Sequence, residues 1–87
     1  MKATELQESI NAARAELAHL NDDDKQAREN LESLLNRMER QLEAPDESER
    51  LSGIDSLSDF VEQMETRHPR LTAIVNDIMN KLAGMGI

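Results

Sequence analysis

Between Pro69 and Gly84, the residues Leu71, Ile74, Val75, Ile78, Met79 and Leu82 recur at the i, i+3, i+4, i+7 spacing of one helix face. At about 100° per residue they span an arc of roughly 140°, broader than a two-helix seam needs. A stripe this wide requires at least two neighbouring helices, or a second copy of the chain, to cover it. No catalytic or ligand-binding group accompanies it. The pattern therefore constrains architecture more than chemistry.

The chain has 87 residues, one small domain (1–87) near the size at which a lone hydrophobic core is only just sufficient. It contains no cysteine, so neither a disulfide nor a thiolate zinc site can supplement that core. Absence of cysteine fits a reducing compartment, and a cytoplasmic location is expected. The start, Met1-Lys2-Ala3-Thr4-Glu5, lacks the apolar run of a signal peptide. No apolar stretch approaches the roughly 20 residues of a membrane span. Phe60 is the one aromatic residue, and a core of Leu, Ile, Val, Met and Ala suits helix-on-helix packing.

Four helical segments emerge along the chain. Thr4, with Gln7 three residues on, reads as a capping box for the first. Leu6, Ile10, Ala13, Leu17 and Leu20 then trace a seam only about 80° wide, which expects mainly one partner. Asn21-Asp22-Asp23-Asp24 breaks that helix, with Asp23 and Gln26 as a cap pair for the next. The second helix is predicted over about Asp24–Glu43, with a stripe of Ala27, Leu31, Leu34, Leu35, Met38 and Leu42. A short loop between two matching seams predicts an antiparallel helical hairpin over 4–43.

Residues 44–50, around Pro45, read as a linker, because proline stops the helix and the acidic flank has nothing to bury. A shorter helix is predicted from Ser48 or Ser52, weakened at Gly53, with Ser56 and Asp59 as a second capping box. Leu57, Phe60, Val61 and Met64 form its apolar face. Pro69 ends it and opens the fourth helix, which should run to about Ala83 with Gly84 as its C-terminal cap. Met85 and Ile87 are expected to fold back onto the stripe. The predicted class is all-α: a hairpin followed by a shorter C-terminal helix pair (51–87) broken at Pro69, forming a small bundle, with a dimer expected.

Charge and chemistry narrow the function. Net charge is −8, and residues 22–65 hold 14 acids against 5 bases, which disfavours nucleic acid as a partner. Calcium binding is tested by placing Asn21 at the first position of an EF-hand loop. Lys25 then occupies a ligand position and Gln26 the obligatory glycine, which ends the idea. His19 and His68 have no metal-ligand spacing; His19 should face solvent and His68 should be a junction residue. No nucleophile elbow or phosphate-cradling glycine cluster is present. No enzyme, metal or cofactor is expected. The methionines Met38, Met64 and Met79 fall at core spacing.

The C-terminal pattern His68-Pro69-x-Leu71-Thr72-Ala73, then an apolar helix and Met85-Gly86-Ile87, resembles the domain of unknown function 4404 family, short bacterial proteins. The likeness extends over nearly the whole chain. It implies a bacterial, stand-alone, all-helical protein and transfers no functional residue.

The expected function is a small non-enzymatic protein–protein interaction module that self-associates through its C-terminal helices. Its face would be Leu57, Phe60, Val61, Met64, Leu71, Ile74, Val75, Ile78, Met79 and Leu82, and its partner a second copy or another protein. The alternative is an acidic regulator that binds a basic partner through residues 22–65. Neither nucleic acid nor a membrane is an expected partner.

Overall fold

The computed structural model describes residues 2–20 and 24–84, which form four helices: α1 (Lys2–Leu17), α2 (Lys25–Glu43), α3 (Glu47–Met64) and α4 (Pro69–Gly84). They make a small all-α bundle. α1 packs on α2 and α4, and α3 packs on α2 and α4; the diagonal pairs do not approach. Each helix thus has two neighbours around one shared core, formed by Leu6, Ile10, Ala13 and Leu17 with Leu31, Leu35, Met38, Leu57, Phe60, Val61, Met64, Leu71, Val75, Ile78 and Leu82.

The wide stripe of α4 is covered by α1 on one side and α3 on the other. Leu71, Val75, Ile78 and Leu82 are buried, with Ile74 and Met79 half-buried at the edges of the arc. α1 was expected to serve mainly one partner, yet it serves two. Its apolar seam is narrow, but polar residues beside it extend the contact. Ser9 is 7% exposed; its Oγ donates to Asp77 Oδ2 at 2.7 Å and accepts from Lys81 Nζ at 2.6 Å. On the other flank, Gln7 and Arg14 reach Glu39 of α2 at 2.8 and 2.5 Å.

Several expected helix ends shift. α1 begins at Lys2, so Thr4 lies inside it and caps nothing, while Gln7 binds Asn11 and Glu39 instead. It ends at Leu17 rather than Leu20, in a turn held by His19 N–H to Glu16 O and Leu20 N–H to Leu17 O. Asp24 precedes α2, but its side chain makes no capping bond. The proposed Asp23–Gln26 cap pair, with Asn21 and Asp22, and the fold-back of Met85 and Ile87 lie outside the described residues.

α3 begins at Glu47, because Asp46 caps it by accepting from the Glu49 N–H at 3.0 Å. The linker is correspondingly brief. Ser56 and Asp59 lie mid-helix rather than at a start, so their expected capping box does not form. The early start makes α3 18 residues long against 16 in α1, so it is not a shorter helix.

Gly53 sits buried in the interior of α3. Its lack of a side chain admits Met38: a Cβ there would collide with Met38 Cε and lie 3.2 Å from Sδ. Gln41, 2% exposed, accepts the Asp46 N–H at 3.1 Å and ties the α2–α3 turn to the core. Pro69 opens α4 as expected, and Gly84 is its last residue rather than a cap beyond it. No described helix is long and apolar enough to cross a membrane.

Candidate functional site

The ten residues proposed as an interaction face converge, but inside the chain. Leu57, Phe60, Val61, Met64, Leu71, Val75, Ile78 and Leu82 are buried, and Ile74 and Met79 pack half-buried against them. This shared core of α3 and α4 is closed over by α1 and α2. What remains for contact with other molecules is the polar exterior and its recesses.

At the end where α3 gives way to α4, a buried polar cluster fastens three segments. Asp24 is 5% exposed, although it belongs to a residue type that rarely goes fully inside without a partner. Its Oδ1 accepts from Arg67 Nη2, and its Oδ2 lies 3.0 Å from His68 Nε2. The carboxylate thus exchanges water for two nitrogen partners 43 and 44 residues away. Thr72 secures the same junction: its N–H and Oγ1 both donate to the His68 carbonyl. Beside the cluster, Glu16, His19, Leu20, Arg67, His68 and Arg70 line a recess of about 230 Å3. Arg70 Nε stands 3.5 Å from Glu16 Oε1 across it. His19 is exposed and His68 is the junction residue, as their positions suggested. Among the described residues, no group of three or more His, Cys, Asp or Glu is placed to hold a metal ion.

The α1–α2 flank carries a second polar knot. Arg14 donates to Glu39 and to Asn36, and Gln7 adds a bond to the other Glu39 oxygen. The Arg14 and Gln7 hydrogen bonds hold the Glu39 carboxyl at about 2, against partial desolvation that pushes the other way. Arg14 is raised in turn, first by its bond to Glu39. On the α1–α4 flank, Lys81 and then Ser9 lower Asp77.

Between α2 and α3 lies an open recess of about 300 Å3, lined by Asn30, Ser33, Leu34, Ser56, Asp59, Phe60 and Gln63. Its lining mixes one carboxylate, hydroxyl and amide groups, and two apolar residues. The outer face of α3 continues from it. Leu51, Asp55, Ser58, Glu62 and Glu65 recur at i, i+4, i+7, i+11 and i+14 and are all exposed. Leu51, at 51%, is the one exposed large apolar side chain among the described residues.

Nearly all of the described chain, from Leu6 in α1 to the end of α4, falls within one family model. It matches the description "Domain of unknown function (DUF4404)" over residues 6–87. The chain belongs to this family. No curated protein and no solved structure matches it. The matched span takes in residues from all four helices. The buried polar residues Ser9, Asp24, Gln41 and Thr72 were not singled out from sequence. Ser9 and Asp24 find their partners on distant segments and Gln41 across the α2–α3 turn, whereas Thr72 bonds locally to the His68 and Pro69 carbonyls.

Proposed function

We propose that this member of the DUF4404 family is a small, non-enzymatic helical protein–protein interaction module. In this reading the antiparallel hairpin of residues 4–43 is the platform on which α3 and α4 are held. The observation that carries it is the outer ridge of α3, where Leu51 stands half exposed in line with Asp55, Ser58, Glu62 and Glu65. A partner that covers Leu51 would remove its apolar surface from water and meet a charged rim beside it.

Self-association is the second element of the proposal. The ten residues first assigned to the dimer face are enclosed in one chain, so a dimer using them exchanges the α3–α4 pair between copies. A dimer that leaves each bundle intact uses the Leu51 ridge instead. The acidic-regulator reading is favoured by the same ridge: the chain carries no base from Leu51 through Thr66, while Asp55, Asp59, Glu62 and Glu65 all lie in that span. A basic partner would be drawn to it by long-range attraction.

The experiment is photocrosslinking in the native cell from a reactive residue placed at position 51, against the same residue at exposed position 76 on α4. A defined product from position 51, absent from position 76, supports docking through α3. Equal labelling from both positions, or none from position 51, refutes it. If the product has twice the 9.8 kDa mass of the chain, the partner is a second copy.

A further inference from the structure

The α2–α3 recess has the lining of a receptor for a cationic side chain. Among the described residues, Ser33, Ser56, Asp59 and Gln63 engage no other side chain, while Asn30 Oδ1 accepts from Gln26. Asp59 is exposed and has no described ion-pair partner, whereas Glu39 and Asp77 are both occupied by cations of the chain itself. Leu34 is half-buried and Phe60 is 6% exposed, so the apolar part of the lining is set deep and the polar part toward the opening.

We propose that this recess takes the side chain of a lysine or arginine presented by a protein partner. The inference rests on the reading of the chain as an interaction module and names the chemistry that it captures. A long cationic side chain can lay its methylene stem along Leu34 and present its charged head to Asp59 and the neighbouring oxygens. No lysine or arginine lines the recess to neutralise Asp59. Arg37, one turn beyond Ser33 on α2, stands 4.0 Å from Glu49. Asp55 and Glu62, about one turn to either side of Asp59, concentrate cations near the opening and repel phosphate. A protein, not a nucleic acid, therefore supplies the guest.

The test uses the full chain and a tetralysine peptide blocked at both ends, followed by backbone amide chemical shifts at low salt. Shifts concentrated at Ser33, Ser56, Asp59 and Gln63 are expected. Asp59→Asn should weaken binding about two- to fivefold, the worth of one exposed ion pair. Glu65→Gln, just past the end of the same helix and outside the recess, should weaken it by less than half as much. Gln63→Lys, at an exposed position that leaves the fold intact, should abolish the localised shifts. The proposal is overturned by any of three results: shifts spread evenly over the acidic surface, equal losses from Asp59→Asn and Glu65→Gln, or equal binding of the acetylated-lysine peptide. Absence of binding overturns it too. None of these results touches crosslinking from position 51, so failure of the recess and failure of the docking reading are separable.

Discussion

Asp24 shows how a single residue can hold distant parts of the chain in place. A carboxylate at 5% exposure has given up its water and depends on Arg67 and His68 in exchange. Asp24→Ala leaves the half-buried His68 without its partner and opens a polar gap. Arg67, 57% exposed, can return to solvent. Thermal unfolding should show a loss of about 2 kcal/mol, since each orphaned group costs about 1–3. For a domain of this size that is roughly 8–16 °C in melting temperature. Gly53 is decided by two opposed effects. Gly53→Ala gains about 1 kcal/mol of helix propensity, but the new methyl meets Met38, and overpacking a filled core costs about 1–3 kcal/mol. Because the contact is with the flexible end of Met38, the cost falls at the low end of that range and a net change within about 1 kcal/mol is expected, and Gly53→Ala made together with Met38→Ala should recover part of the clash. Urea midpoints of the two single variants and the pair would show it.

At the scale of helices, polar knots on the flanks hold α1 against both neighbours. Glu39 has a folded-state pKa depressed from 4.5 to about 2, so the folded state binds fewer protons than the unfolded chain across that interval. Its contribution is complete above 4.5 and disappears as pH falls toward 2; Asp77, also lowered, acts in the same direction. Glu39→Gln should therefore cost less than about 1 kcal/mol near neutral pH, because the pair is partly solvated. It should also flatten the acid side of the stability profile. Urea midpoints measured from neutral pH down to about 2 would reveal an unchanged slope if the knot contributes nothing. The apolar stripes were legible in sequence because helix period leaves a local trace: Leu71, Val75, Ile78 and Leu82 are all buried as their spacing requires. Helix starts were less so. Asp46 caps α3 two residues ahead of the expected Ser48 start and well ahead of Ser52, since several Ser and Asp residues offer the same local signal and packing selects among them. Asp24, Gln41 and the α2–α3 recess left no local trace, because helices brought together by folding create them.

For the whole molecule, the central claim is that the broad apolar face of α4 is covered by α1 and α3 of its own chain. On the proposed reading, recognition falls to the exterior, at the Leu51 ridge and the recess beside it. The chain has no native cysteine, so an introduced pair reports without interference. Ser9 and Asp77 face each other across the α1–α4 contact, their side-chain oxygens 2.7 Å apart. Ser9→Cys with Asp77→Cys, treated with a short thiol crosslinker in dilute solution and analysed under denaturing conditions, should give closed chains of single mass near 9.8 kDa. Covalent dimers as the main product would place α4 against another copy's α1, and an uncrosslinked chain would mean that the two helices do not meet.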